Sequence, residues 1–239
     1  MHTSETLLDN PIWNALSTRQ SHFAHGGIRA KRFDSAIGPL SGLNEQSEEA
    51  YAELAQILAP GEIAILFLTE APRLPQGWKT LRTGLLAQMI CRGEPVPPSR
   101  ASKDGDSPTI EPLTTRDVPE MLELVQLTEP GPFAERTIEL GGYLGIRQNR
   151  RLAAMAGQRL APHGFTEISA VCTHPDFRGR RYAQLLVATV AQRIRDRGET
   201  PFLTLMASNT SAFRVYEAAG FEARRTLELA VITPVHPPS

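Results

Sequence analysis

The sequence has few cysteines and no long apolar runs. Its 239 residues include only two cysteines, Cys91 and Cys172, too few and too far apart for a disulfide framework. No stretch approaches the about 18 uninterrupted apolar residues that a membrane-spanning helix needs. The first residues also lack the basic and then apolar pattern of a secretory signal. We therefore expect a cytoplasmic protein that is not integral to a membrane.

The chain has almost no net charge and only three lysines. Its 25 Lys and Arg residues balance 26 Asp and Glu residues, which leaves a net charge of -1. Such a chain has no broad positive field to attract nucleic acid or an anionic membrane, so we expect neither as a partner. No His, Cys, Asp and Glu residues are spaced as metal ligands, so we expect no metal.

A proline-rich, polar segment divides the chain. We interpret residues 94–107 as a linker between an N-terminal α/β block, residues 1–93, and a C-terminal domain, residues 108–239. In the first block the pattern predicts a helix capped by Asn44 and running to Leu58, a buried strand over residues 62–68, and a helix over residues 81–90. We find no catalytic motif in this block.

The C-terminal segment predicts an alternation of strands and helices typical of a mixed α/β fold. Asp117 and Glu120 resemble a capping box, and Asn149 is suited to a hairpin turn. The predicted elements are a strand 109–113, a helix 117–128, strands 142–147, 151–160 and 165–173, a helix 181–197, a strand 201–206, a helix from 208 or 209 to 220, and a strand within 221–232.

Two segments could bind a ligand. The first contains Gly179 and three arginines between a strand and a helix start, where unpaired N–H groups and a helix dipole favour an anion such as a pyrophosphate. An exposed arginine-rich turn without a ligand is the alternative. In the second, Asn209 and Tyr216 lie seven residues apart, on one side of a predicted helix. Tyr216 could equally be an ordinary core residue.

Together the two segments resemble the GNAT superfamily of N-acetyltransferases, including members similar to the C-terminal domain of glycine N-acyltransferases. The family's acetyl-CoA loop, Arg/Gln-x-x-Gly-x-Gly/Ala, matches residues 178–183, except that Arg181 stands where the family usually has glycine. A second family pattern, Tyr-Glu-x-x-Gly-Phe, matches residues 216–221. The resemblance covers residues 108–232. Residues 1–93 resemble the N-terminal extension of two-part members, either a supporting domain or a degenerate GNAT-like half.

The resemblance implies a central mixed sheet flanked by helices, and acetyl transfer from acetyl-CoA to a primary amine by direct attack. It also implies that strands 165–173 and 201–206 splay apart around the pantetheine arm, and that Tyr216 is the general acid for the thiolate. The residues that it places on the cofactor are Val171, Thr173, Arg178, Gly179, Arg180, Arg181, Tyr182, Ala183 and Asn209.

Glu167 is our candidate for the base that deprotonates the amine. By strand alternation we place it on the same face as Ser169, Val171 and Thr173, although a solvated strand residue is the more ordinary interpretation. We expect Cys172 to be a small buried residue and His174 to be a turn residue.

Two other functions stay open. The chain could bind acyl-CoA without transferring its acyl group. Arg181 makes this alternative conceivable, whereas the presence of Tyr216 argues against it. It could also bind nucleic acid through arginines of the loop and of the helix end, namely Arg178, Arg180, Arg181, Arg193, Arg195 and Arg197. The identity of the acceptor, a small molecule or a peptide with an amine, stays open. The oligomeric state also stays open, although a homodimer is common in the family.

Overall fold

The computed structural model describes residues 4–98 and 108–235. Its helices are α1 (Pro11–Leu16), α2 (Glu48–Gln56), α3 (Val118–Thr128), α4 (Tyr182–Arg195) and α5 (Thr210–Ala218). Its strands are β1 (Ala24–Gly26), β2 (Ala30–Phe33), β3 (Ser41–Leu43), β4 (Ala64–Leu68), β5 (Trp78–Ile90), β6 (Ile110–Pro112), β7 (Leu144–Gln148), β8 (Arg151–Gln158), β9 (Phe165–Thr173), β10 (Thr200–Met206) and β11 (Glu222–Pro234).

Eight strands form one mixed sheet in the order β4-β11-β5-β10-β9-β8-β7-β6. Strands β9 and β10 run parallel, and the other named pairs in this sheet are antiparallel. Strands β1, β2 and β3 form a separate small sheet. The predicted mixed α/β class, with a central sheet flanked by helices, is confirmed.

The large sheet crosses the predicted linker. Strand β5, from the N-terminal block, lies between β10 and β11 and is hydrogen-bonded to both, and β11 in turn pairs with β4. Because interior strands satisfy their backbone groups on both edges, β5 holds C-terminal strands together. Strands β4 and β5 of the N-terminal block therefore belong to the same sheet as the C-terminal strands.

Two predictions about local structure in the N-terminal block are wrong. Residues 81–90 form part of strand β5 and not a helix. Leu86 and Ile90 of β5 are buried in one core cluster and Met89 in another, so both faces are apolar and the period-two signal is lost. Ser47, and not Asn44, caps α2 by accepting a hydrogen bond from the N–H of Ala50 at 3.3 Å.

The predicted capping box at Asp117 is also displaced. The box forms one turn earlier, where Asp117 accepts a hydrogen bond from the N–H of Thr114 at 2.8 Å and so closes a 3₁₀ turn before α3. Asp117 makes no side-chain cap on α3 itself. The expected hairpin turn is confirmed, with Asn149 at φ 52° between β7 and β8.

The sheet carries a core on each face. Helix α4 packs on one face, where Ile168, Leu203 and Leu205 belong to its cluster. The opposite face carries Phe67, Leu86, Phe202 and Leu229, covered by residues of the N-terminal segment such as Ile12 and Leu16. The functional cleft described next connects these two sides.

Candidate active site

Strands β9 and β10 pair for only part of their length. The register begins at Thr200 opposite Phe165 and ends at Leu203 opposite Ile168. Beyond that point β9 continues to Thr173 and β10 to Met206, and residues of both extensions line the same cleft. The strands therefore diverge toward their carboxyl ends, as the resemblance implied, and leave an opening in the middle of the sheet.

A bulge at Ala170 interrupts β9 beside this opening. Ala170 has φ 52°, and the β8–β9 register shifts there. Ile168 and Val171 consequently pack on the same cluster beneath α4, although strict alternation would separate them, whereas Cys172 packs toward α3. The prediction that Glu167 shares a face with Val171 and Thr173 is therefore wrong, because the extra residue of the bulge reverses the alternation.

One cleft of about 1090 Å³ gathers almost all of the predicted site. The predicted residues that line it are Val171, Thr173, Arg178, Gly179, Arg180, Arg181, Tyr182, Ala183, Asn209 and Tyr216. Glu167 is not part of its described lining. The residues that the two sequence motifs singled out thus lie together, in elements separated by up to 45 positions along the chain.

The N-terminus of α4 opens into this cleft. Its first helical hydrogen bond runs from the N–H of Leu185 to the carbonyl of Arg181 at 3.0 Å. The N–H groups of the first three helical residues therefore have no carbonyl of their own helix to bond. The N-cap residue makes no side-chain cap. These donors and the helix dipole make the loop and helix start a site suited to a pyrophosphate.

The backbone of this loop explains why the family has glycine where this chain has Arg181. Arg181 adopts a left-handed conformation with φ 62°, and Gly179 has φ 79°. A non-glycine residue in that conformation costs about 1 kcal/mol or more. The loop keeps the conformation that presents the helix N–H groups, with an arginine at a position that favours glycine.

Helix α5 supplies the other side of the cleft. The side chain of Asn209 caps α5 by accepting a hydrogen bond from the N–H of Ala212 at 3.1 Å. Tyr216 is 8% exposed, and its side chain makes no hydrogen bond to any residue in the described part of the chain. Burial raises the pKa of Tyr216 above its usual value of 10, so the phenol keeps its proton. Tyr216 can therefore donate a proton within the cleft.

Glu167 has a different environment from the one predicted. It is fully buried, and Arg159 donates hydrogen bonds to its two oxygens from Nε at 2.8 Å and from Nη2 at 2.9 Å. Arg159 itself lines the cleft and lies over the ring of Phe67, at 5.6 Å from the centroid. The geometry favours Glu167 as the residue that holds Arg159 in place, and its role as a base stays a prediction.

Sequence reasoning missed Arg159 and Thr204. Arg159 follows an apolar strand directly, an unusual place for a cation that could have marked it as a ligand contact. Thr204 lies on β10 just beyond the last residue paired with β9, and its hydroxyl is buried without a hydrogen-bond partner in the described structure. Nothing in the local sequence distinguishes this threonine from a core strand residue.

Two other side chains near the cleft that could be reactive, Cys172 and His174, are buried. Burial raises the pKa of the Cys172 thiol to about 12, so it remains protonated and unsuited to attack a thioester. His174 is buried in the turn after β9 and accepts a hydrogen bond from the N–H of Asp176 at 3.2 Å.

Among residues 4–98 and 108–235, no three His, Cys, Asp or Glu side chains are placed to hold a metal ion. No helix in those residues is long and apolar enough to cross a membrane.

Known proteins share this fold, in which a parallel strand pair splays beside a helix N-terminus. The family described as FR47-like protein matches residues 143–229. A crystal structure of a protein assigned to the acetyltransferases of the GNAT family, from Novosphingobium aromaticivorans, is 39% identical. It covers 95% of this chain and 98% of its own, with a TM-score of 0.85. The chain belongs to the GNAT family of N-acetyltransferases.

More distant structures share the fold alone. A GCN5-related N-acetyltransferase from Kribbella flavida is 14% identical, covers 92% of this chain and 95% of its own, and has a TM-score of 0.63. A GCN5-related N-acetyltransferase-like protein from Streptococcus suis is 15% identical, with coverages of 93% and 92% and a TM-score of 0.60. No curated protein sequence matches the chain significantly. The likeness to glycine N-acyltransferases stays a prediction.

Proposed function

We propose that this protein transfers the acetyl group of acetyl-CoA to the amine of an acceptor by direct attack. The observation that carries the proposal is the single cleft that joins the α4 N-terminus, the splayed strands and Tyr216. These are the three parts that such a reaction needs: a pyrophosphate site, a place for an extended arm, and a proton donor. Acetyl-CoA supplies the acetyl group as a thioester.

Different residues of the cleft are suited to different parts of acetyl-CoA. The N–H groups at the start of α4, with Arg178, Arg180 and Arg181 around them, suit the pyrophosphate. The edge of β9 that β10 leaves unpaired can bond an extended arm as a further strand would, through the backbone of Val171 and Thr173. An N–H group of the same edge can polarise the carbonyl under attack.

The reaction requires two proton transfers, one to the departing sulfur and one from the acceptor amine. As the bond from the amine nitrogen to the acetyl carbon forms, the carbon–sulfur bond breaks and Tyr216 gives its proton to the departing sulfur. The acceptor must lose a proton to become nucleophilic. Because Glu167 is buried against Arg159 and its carboxylate is not in the described cleft lining, water in the cleft is the better placed acceptor of that proton.

The structure gives little support to nucleic-acid binding. Two of the helix-end arginines are engaged within the protein, since Arg195 pairs with Glu94 at 3.1 Å and Arg197 with Glu199 at 3.5 Å. Because carboxylates pair with Arg195 and Arg197, these two residues add little net positive charge to that of the loop arginines. A salt titration with duplex DNA would detect such binding as a steep loss of affinity with rising salt.

Thermal unfolding with CoA and with acetyl-CoA tests the binding part of the proposal. A ligand at about 100 times its Kd should raise the free energy of unfolding by roughly 2.7 kcal/mol. No shift at millimolar concentration would contradict the assignment, and stabilisation without thiol release from any amine would favour an acyl-CoA-binding protein without transferase activity.

Arg181→Gly tests the loop in the same assay. Glycine suits the left-handed backbone at this position. If the arginine crowds the phosphates, the variant should bind CoA more tightly. If its charge contributes, the variant should bind more weakly, and increasingly so at low salt.

A further inference from the structure

The cleft continues through the opening onto the sheet face opposite α4, where apolar side chains line it. They come from four strands that the register sets side by side. Met206 of β10 pairs with Leu86 of β5, and Leu86 pairs with Leu227 of β11. Leu229 of β11 pairs in turn with Phe67 of β4. We define the apolar floor as the apolar side chains of these strands that line the cleft on this face, namely Ile65, Phe67, Leu86, Met206, Leu229 and Val231.

The apolar floor extends away from the opening along β11. Leu227, the partner of Leu86, is followed on the same face by Leu229 and then by Val231. At about 3.4 Å per residue, Leu229 lies roughly 7 Å and Val231 roughly 14 Å from the level of Leu86. An extended chain covers about 3.5 Å with every three bonds, so the apolar floor matches a chain of about twelve bonds.

Polar groups lie at the two ends of the apolar floor. At the inner end, Thr204 lines the cleft two positions before Met206 on β10. Its Oγ1 is buried and has no hydrogen-bond partner in the described structure, so a polar ligand group beside it would remove an unfavourable free energy. At the outer end, Arg82 pairs with Val231 and is exposed. The groove is therefore polar at the opening, apolar along its length and open to solvent at its far end.

The charge of Arg159 beside the apolar floor is balanced within the protein. Its guanidinium lies over the ring of Phe67, at 5.6 Å from the centroid. The buried carboxylate of Glu167 accepts hydrogen bonds from its Nε and its Nη2. Because this ion pair has no net charge, it supplies little attraction for a second anion. The apolar floor is therefore better suited to a hydrocarbon chain than to an ionic group.

The acyl group of the donor is the part of the substrates that reaches this floor. The donors suited to the pyrophosphate lie at the N-terminus of α4, and the free edge of β9 leads from there to the opening. A thioester at the end of the arm therefore lies in the opening, and any carbon beyond it continues onto the opposite face. An acetyl group has one such carbon and would leave the apolar floor uncovered. A longer chain would bury apolar surface on both sides, which is favourable in proportion to the area.

We propose that the donor is an acyl-CoA with a linear chain of about eight to twelve carbons, which passes through the opening and lies along the apolar floor. The inference rests on the proposed function and extends the transferred group from acetyl, the shortest that the site accepts, to longer chains. The chemistry is unchanged. The amine nitrogen bonds the acyl carbon and loses a proton to water, the carbon–sulfur bond breaks, and Tyr216 protonates the sulfur.

A series of donors tests the proposal without an acceptor. The Kd values of CoA and of its acetyl, butyryl, hexanoyl, octanoyl, decanoyl, dodecanoyl and tetradecanoyl thioesters are measured by titration calorimetry with the full chain, below their micelle concentrations. Each methylene that leaves water should tighten binding by up to about fourfold, so Kd should be at least about tenfold lower for decanoyl-CoA than for acetyl-CoA. The heat-capacity change of binding should become more negative along the series. Affinity should level off near twelve carbons, where the chain end reaches the exposed Arg82.

Two substitutions on β11 should shorten the chain that fits. Val231→Trp narrows the outer end, so it should raise Kd for dodecanoyl-CoA at least about fivefold and leave acetyl-CoA and hexanoyl-CoA within about twofold. Leu229→Trp lies nearer the opening and should already weaken octanoyl-CoA. Val235→Trp is the matched control, since Val235 follows β11, is exposed and lies outside the described cleft lining. Thermal unfolding without ligand checks that each variant is folded, and Val231→Trp decides the question if Leu229→Trp does not fold.

The outcomes separate this inference from the proposed function. Equal Kd values for acetyl-CoA and decanoyl-CoA would overturn the inference, while acetyl-CoA binding and thiol release with an amine would leave the proposed function standing. Tighter binding of long chains that Val231→Trp does not change would also overturn it, because the chains would then lie elsewhere. Binding that depends on chain length and on Val231, without thiol release from any amine, would support the acyl site and refute the transfer. If neither CoA nor any thioester binds, both proposals fail.

Discussion

Removing only the hydroxyl of Tyr216 should slow acetyl transfer without unfolding the protein. The ring packs in the cluster beneath α4 with Ala219 and Phe221, and Tyr216→Phe keeps that packing. The hydroxyl bonds no residue in the described part of the chain, so no internal hydrogen bond is lost. We therefore expect the free energy of unfolding to change by no more than about 0.5 kcal/mol.

The expected loss of rate follows from the chemistry of the leaving group. General acids typically contribute about 10² to 10⁴ in rate. A thiolate leaves more readily than an alkoxide, and water in an open cleft can replace a missing acid, so the effect should be near the lower limit. A hundredfold loss of kcat corresponds to about 2.7 kcal/mol of transition-state stabilisation.

The pH dependence gives a second readout of the same residue. Tyr216 acts in its protonated form, and burial raises its pKa, which extends the protonated form to higher pH. Activity lost through its deprotonation should therefore appear only above about pH 10, the usual pKa of tyrosine. An alkaline loss of kcat near pH 8 that Tyr216→Phe abolishes would contradict the burial argument.

Tyr143→Phe is the matched control for the kinetics. Tyr143 is also buried, its hydroxyl has no partner in the described structure, and it is absent from the described cleft lining. Removing the Tyr143 hydroxyl should leave kcat unchanged. The free energy of unfolding should stay the same or rise slightly, because an unsatisfied buried hydroxyl is lost. If Tyr216→Phe leaves kcat within about threefold, with chemistry shown to limit the rate, then Tyr216 is a core residue and water is the acid.

The sequence predicted the elements whose ends carry local signals. Asn209 caps α5, and Asn149 takes the positive φ of a hairpin turn. The loop before α4 was predictable for the same reason, since a strand, a glycine and a helix start follow one another within a few residues. Each of these features depends on residues that are neighbours along the chain.

The rest depends on contacts that no local pattern reports. Strand β5 is buried on both faces at its end, so its apolar residues resemble a helix as much as a strand. Ala170 gives no sign of its positive φ, and the bulge there reverses which side chains face α4. Arg159 meets Phe67 although β8 and β4 are not neighbours in the strand order. The end of the cleft that β4 and β5 line was therefore invisible to motif analysis.

Two further predictions test how the parts depend on one another. Glu167→Gln should destabilise the protein by about 3–5 kcal/mol in denaturant unfolding, because Arg159 stays buried without its counter-charge, and should leave kcat within about tenfold. A hundredfold loss of kcat with unchanged stability would instead establish Glu167 as the base. A fragment beginning at Pro108 should fail to fold, because it lacks β4 and β5. Strand β11 would lose both of its neighbours in the sheet, and β10 would lose one edge. Circular dichroism and size-exclusion chromatography of the fragment would show this, and adding residues 1–98 in trans should restore part of the fold. A soluble, fully active fragment would refute the argument, since it would mean that the sheet closes without β5 and that the N-terminal segment is dispensable for activity.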